Sequence, residues 1–171
     1  MPEPQPPSPA PVDTGRGLAV FDIDGVVADV RHRLHHIEHG RRGWDAFFDE
    51  ADADPLLPEG AALVADLAGR HDIVWLTGRP EWLRSVTARW LRDHGLPMTE
   101  LHLRPHGDYR PAPRYKLGVL QRLSARGVAA FVDDDELVVR TALDAGFPAV
   151  LADWVPRGRA LRRAQDTDGR T

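Results

Sequence analysis

Four short clusters in this chain carry side chains suited to moving a phosphoryl group. In Phe21-Asp22-Ile23-Asp24-Gly25 the two carboxylates are two residues apart, so in an extended chain they point to the same side. Carboxylates so placed repel each other unless a cation lies between them, and a hard divalent ion suits all-oxygen ligands. Gly25 lets the backbone turn sharply there; a plain turn built on the Asp-Gly pair would use the same residues. In Thr77-Gly78-Arg79-Pro80 a hydroxyl, a residue permitting close backbone approach and an anion-binding fork stand in a row. A strand-to-helix junction with a capping threonine is the alternative. Lys116 is the single lysine beside 21 arginines. That singles out either a site needing a compact ammonium or an ordinary solvated side chain. Asp133, Asp134 and Asp135 follow an apolar run. A helix N-terminus explains one or two of them, and a bound cation explains more. Together the clusters supply what phosphoryl transfer needs: a nucleophile, metal ligands, phosphate donors and a cation.

The elements that must position these groups are legible as alternating patterns. Short apolar runs of strand length fall at Leu18–Ile23, Ile73–Thr77, Leu101–Leu103, Val128–Val132 and Ala149–Ala152, most of them continuous, as in buried parallel strands. Between them, Glu59–Arg70, Glu81–His94, Tyr115–Arg126 and Glu136–Ala145 carry apolar residues at helical spacing. Gly95, Gly127 and Gly146 follow three of these as helix stops. The alternation predicts an α/β fold, a parallel sheet with helices on both faces. Ligands of such sheets bind beyond the carboxyl ends of the strands, and three of the four clusters stand directly there.

Composition narrows the classes. Hydrophobic residues make up 42% and charged residues 28%, as in globular domains, and 171 residues suit one domain. The absence of cysteine excludes disulfides, thiolate zinc sites and a cysteine nucleophile. No apolar run approaches the ~20 residues of a membrane span, and the N-terminus does not resemble a signal peptide; a cytoplasmic protein is expected. The net charge of −4 gives no global attraction to nucleic acid. Residues 1–16, with six prolines among the first eleven, read as a disordered tail, and 157–171 as an Arg-rich tail that frays. No protein partner is readable.

The four clusters in this order resemble the motifs of the haloacid dehalogenase-like (HAD) superfamily of phosphohydrolases: FDIDGVVAD, LTGR, Lys116 and VDDD, within residues 17–156. The resemblance implies a three-layer α/β/α Rossmann-like sheet with the first strand central, flanked by the second and fourth. It implies that Asp22 attacks phosphorus and that Asp24 is the acid and base. Mg²⁺ would be held by Asp22, the Asp24 carbonyl and the pair Asp133 and Asp134, chiefly Asp134. Thr77 would bind phosphoryl oxygens and Lys116 their charge, with Gly78 and Arg79 on the substrate. Within the superfamily the chain is similar to the 3′-phosphatase domain of polynucleotide kinase–phosphatases, in TGRPE…WL and in LRPHGDYRP before the lysine. There Arg104 matches an arginine that steers phosphate. Ala112 and Asp135 stand where that group has an acid and an arginine. No GxxxxGK[ST] loop of a kinase half is present.

About thirty residues, 29–58, exceed what the sheet needs and are expected to form a small helical cap. Its stretch RHRLHHIEHGRR has eight Arg or His in twelve. This is either a solvated face, a surface that captures substrate anions, or, through His32, His35, His36 and His39, a metal site. Trp44, Phe47 and Phe48 would pack the cap, with base stacking on Trp44 as an alternative. The substrate implied is a nucleotide or a nucleic-acid 3′-phosphate end. A small-molecule phosphatase and an inactive phosphate-binding module are the competing readings.

Overall fold

The computed structural model describes residues 15–38 and 43–156, with Gly158 and Arg162 beyond them. Five strands, β1 (Leu18–Phe21), β2 (Asp72–Pro80), β3 (Glu100–Arg104), β4 (Val128–Asp133) and β5 (Ala149–Leu151), form one sheet in the order β3-β2-β1-β4-β5. Every pairing is parallel. The sheet has helices on both faces, as the apolar runs predicted, and β1 lies at its centre between β2 and β4.

Side-chain alternation along the central strands explains the two helical layers. Ala19 and Phe21 of β1, with Ile73 and Trp75 of β2, face one core, and Leu18, Val20, Val74 and Leu76 face the other. The first core is covered by α2 (Pro58–Ala68) and α3 (Arg84–Asp93) through Val64, Trp90 and Leu91. The second is covered by α4 (Ala112–Leu123) and α5 (Glu136–Asp144) through Tyr115, Val119, Leu120, Val138 and Ala142. A strand buried on both sides must be apolar at every position, which is why LAVF shows no polar alternation.

Helix starts differ slightly from the sequence pattern. α4 begins at Ala112 rather than Tyr115, because Pro111 caps it and Pro113 sits in its first turn, where no backbone N–H needs a partner. Gly95, Gly127 and Gly146 adopt positive φ just past helices or helical turns, the conformation a helix stop favours.

Between β1 and α2 lie a 3-10 turn at Arg31–His36, α1 (Trp44–Asp49) and a second 3-10 turn at Ala51–Ala53. Ile37, Trp44, Phe47 and Phe48 of this insertion share the core of Ile23, Val26 and Val27. With Trp44 only 1% exposed, stacking of a base on it is ruled out and packing is its role. His39 and residues 40–42 lie outside the described residues, as does most of each terminal tail. Of the expected N-terminal tail, Arg16 is described, and its guanidinium donates to the Ala68 carbonyl at 3.1 Å. No helix among the described residues is long and apolar enough to cross a membrane.

Candidate active site

Asp22 stands one residue beyond β1, where its backbone N–H donates to the Val132 carbonyl at 2.9 Å. The neighbouring strands β1 and β4 thereby deliver Asp22 and Asp133 side by side. From the second turn of α4, Lys116 Nζ reaches Asp22 Oδ2 at 2.8 Å and Asp133 Oδ2 at 2.7 Å. The Ile23 N–H donates to Asp22 Oδ1 at 2.7 Å. Asp133 Oδ1 accepts from the Asp135 N–H at 2.9 Å, and Asp135 in turn caps α5 by accepting from the Leu137 N–H at 2.8 Å. The third aspartate of the run thus serves the helix, and the first two face the site.

Asp22, Lys116, Asp133 and Asp134 are all buried. Burial pushes the Asp22 carboxyl up to about 7; the negative charges of Asp133 and Asp24 add to this, and Lys116 opposes it. Asp133 is raised as well, again chiefly by burial. Burial works against the Lys116 ammonium, but the charges of Asp133 and Asp22 outweigh it and hold the proton on.

Carboxylate oxygens of Asp22, Asp133 and Asp134 lie within 4.8 Å of one another. Three buried carboxylates, two of them on the one ammonium, put more acidic than basic groups among these side chains. A small divalent cation with oxygen ligands answers that excess. The backbone makes room for it: Gly25 has φ of +76°, and a Cβ there would come within 2.4 Å of Asp134 Oδ2. The donor set and the glycine cradle therefore fit magnesium.

Asp24 sits in a different environment. Its Oδ1 accepts from Arg79 Nη2 at 2.6 Å, Arg79 Nε at 3.0 Å and Arg33 Nη2 at 3.0 Å. Both arginines also bind Asp54, at 2.8 Å from Arg79 and 2.7 Å from Arg33, and Arg79 Nη1 donates to Thr87 Oγ1 at 3.3 Å. This closed box of two carboxylates and two guanidinium groups is buried throughout. Burial raises the Asp24 carboxyl, but the charges of Arg79 and Arg33 carry it below its ordinary value. Arg79, expected on the substrate, has its guanidinium turned inward onto Asp24, Asp54 and Thr87. The sequence singles out neither Arg33 nor Asp54. Arg33 hides in a basic run, and Asp54 carries no sequence signal beyond standing before a proline.

Three other basic side chains among the described residues of this region are also matched locally. Arg31 pairs with Asp29 at 2.6 Å, His32 with Asp54 at 2.8 Å and His36 with Glu50 at 2.9 Å. Beyond the box, Thr77 is buried at the end of β2 and its Oγ1 accepts from the Arg79 N–H at 3.2 Å. The β2–β3 register shifts between Leu76 and Pro80, which leaves the Thr77–Arg79 backbone outside the regular ladder. Gly78 there lines a cleft of about 650 Å³. Arg104 lines the same cleft, donates to the Arg110 carbonyl at 2.7 Å and lies over the Tyr115 ring at 4.7 Å.

No family model matches the chain, and no curated protein matches it. Solved structures do. A chain of the Pnkp1/Rnl/Hen1 complex superposes with a TM-score of 0.67 and 23% identity, covering 86% of this chain and 49% of that one. A second structure, described as the Pnkp1/Rnl/Hen1 RNA repair complex, gives 0.64 and 23% over 83% and 44%. This chain spans about half the length of the chains it matches there. A haloacid dehalogenase-like family hydrolase from Streptococcus pneumoniae gives 0.59 and 13% over 91% and 93%. The HAD-hydrolase YfnB from Bacillus subtilis, whose structure is bound to magnesium, gives 0.58 and 12% over 80% and 88%. The chain has the haloacid dehalogenase-like fold.

Proposed function

We propose that this protein is a magnesium-dependent phosphomonoester hydrolase that works through an aspartyl phosphate on Asp22, acting on nucleotides or nucleic-acid 3′-phosphate ends. The observation that carries the reading is the buried trio Asp22, Asp133 and Asp134, with Lys116 on the first two and Gly25 leaving space beside the third. Magnesium, held by the Asp22 and Asp134 carboxylates and the Asp24 carbonyl, would neutralise charge on the phosphoryl oxygens when bound.

The chain's own groups supply the rest. An Asp22 carboxylate oxygen forms a bond to phosphorus while the ester P–O bond breaks and its electron pair leaves on the ester oxygen. Asp24, ionised at rest between the two arginines, takes up a proton as the substrate binds and gives it to that oxygen. Water then attacks phosphorus and passes a proton to Asp24; the bond from Asp22 to phosphorus breaks, releasing inorganic phosphate and restoring the carboxylate. Lys116 and the Thr77 hydroxyl donate to the phosphoryl oxygens as charge develops on them. The box of Arg33, Arg79 and Asp54 fixes the Asp24 carboxylate against rotation. The cleft beside Gly78, and the fold likeness to a chain of an RNA repair complex, support a nucleotide-sized leaving group.

Hydrolysis of an aryl phosphate with Mg²⁺, abolished by chelator and by Asp22→Asn, is the test of the chemistry; turnover that persists in D22N sinks it. A panel comparing nucleoside 3′-phosphates and 3′-phosphorylated oligonucleotides with sugar phosphates tests the substrate. If sugar phosphates are turned over best, the nucleotide assignment fails and the chemistry stands.

A further inference from the structure

The cleft at the carboxyl ends of β2 and β3 has a composition that the phosphoryl chemistry does not use. Of the large apolar side chains exposed among the described residues, two are aromatic, Trp82 at 56% and Tyr109 at 80%. Both line this cleft. An indole and a phenol left in water cost apolar surface that a folded chain ordinarily covers.

Both are held on built supports. Trp82 lies in the 3-10 turn Glu81–Leu83 directly after β2, anchored by buried Leu83, and its ring meets Phe48 of the insertion edge-on at 6.3 Å. Tyr109 is carried between Asp108 and Arg110, where Asp108 Oδ1 accepts from both the Arg110 N–H and Nε at 3.0 Å. Gly107, with φ of +78°, sets the turn.

The charges of the cleft narrow its occupant. Arg104 and Arg110 share the lining with Asp45, Asp108 and Glu81, the last of which pairs with Arg84. Arg110 pairs with Asp108 at 2.5 Å, and Arg104 lies 3.8 Å from the same carboxylate. This is not the cationic groove that tracks a phosphodiester backbone, and the whole chain carries a net charge of −4. At about 650 Å³ the cleft is within the usual range for a small organic group. Gly78, in its lining, stands between Thr77 and Arg79 in the chain, so the cleft borders the segment that carries the proposed phosphate donor and the partner of Asp24.

We infer that this cleft is a nucleobase subsite, in which the base attached to the scissile phosphate stacks on Trp82 and Tyr109 and no further nucleotide is gripped. The inference rests on the phosphatase reading above and adds to it which side chains choose the leaving group and how much of it they touch. Stacking is tolerant of base identity, so all four bases are accepted. The energy of recognition is confined to one nucleoside.

The test uses the full chain with Mg²⁺ and three substrates: a nucleoside 3′-phosphate, ribose 3-phosphate as the same ester without a base, and a 3′-phosphorylated octanucleotide. The nucleoside ester should exceed the baseless one in kcat/KM by about tenfold or more. The octanucleotide should lie within about threefold of the nucleoside ester, with a shallow salt dependence. In W82A and Y109A the ratio between base-bearing and baseless esters should collapse towards one, carried by KM, and W82F should restore most of it. A ratio near one in the wild type overturns the subsite, and so does an octanucleotide preferred by more than about tenfold with a steep salt slope. If no phosphoester is turned over, the aryl phosphate included, the phosphatase reading has failed. Equilibrium binding of the nucleoside 3′-phosphate then decides the cleft alone, with about tenfold weakening in W82A supporting it and unchanged binding overturning it.

Discussion

Arg79 Nη2 lies 2.6 Å from Asp24 Oδ1 although the two residues are 55 positions apart in the chain. The arginine at the end of β2 thus holds the carboxylate that follows β1. Arg33, arriving from the insertion, holds the same oxygen from a third segment. Asp54 ties the two guanidinium groups together. The acid/base candidate is fixed by a buried network whose members come from three parts of the sequence.

Removing Asp54 should therefore act at a distance. D54A leaves two buried guanidinium groups with one carboxylate, and should lower unfolding free energy by about 3–5 kcal/mol in urea titrations. D54N keeps the shape and loses the charge. Its kcat on an aryl phosphate should fall roughly a hundredfold with a smaller change in KM. A kcat equal to that of the wild type would show that the box does not position Asp24.

Gly25→Ala should damage the cation site more than the fold's core. The new Cβ would approach Asp134 Oδ2 to within 2.4 Å, at a φ of +76° that side chains resist. Displacing that carboxylate should raise the Mg²⁺ concentration for half-maximal turnover by at least about tenfold. A magnesium titration of the variant reads this directly.

Lys116→Arg tests whether the lone lysine is a matter of size. The ammonium fits between Asp22 and Asp133 at 2.8 and 2.7 Å, and a planar guanidinium does not have that shape. Turnover in K116R should fall by more than about a hundredfold, although the charge is kept. Near-normal turnover would mean that charge alone is required.

Glu100 on β3 makes stability depend on acidity. Burial raises its carboxyl, but hydrogen bonds from His102 and Arg126 outweigh this and hold it below the ordinary 4.5. A carboxyl lowered in the folded state favours folding when ionised. Its contribution is full above 4.5 and disappears as pH falls through the lower folded value. The stability gap between wild type and E100Q should accordingly be present at neutral pH and close in acid, as followed by urea unfolding across that range.

The sheet was legible because each buried strand is a short apolar run and three of the four helices between are followed by glycines of positive φ. The positions of Asp22, Asp24, Thr77, Asp133 and Asp134 were legible for the same reason, since each follows or closes an apolar run of the sheet, whereas Lys116 lies in α4 and was marked by being the single lysine. The direction in which Arg79 points was not, because an arginine at a strand end reaches substrate or a neighbour equally well. Arg33 and Asp54 were hidden because 3-10 turns and an irregular insertion bring them to the site, and such segments have no period to read. Trp82 falls within the stretch Glu81–His94 whose spacing reads as helical. Its exposure comes from lying in the turn before α3 begins.

The single lysine gives the chain an unusual handle. Amine-selective acylating reagents have one side-chain target in the described fold, and Lys116 is only 1% exposed and clamped between two carboxylates. Such a reagent can reach it only when α4 lifts from the end of the sheet or the carboxylates let go. The speed of acylation at Lys116, followed by mass spectrometry, therefore works as a clock for the opening of this one spot, without any label being introduced.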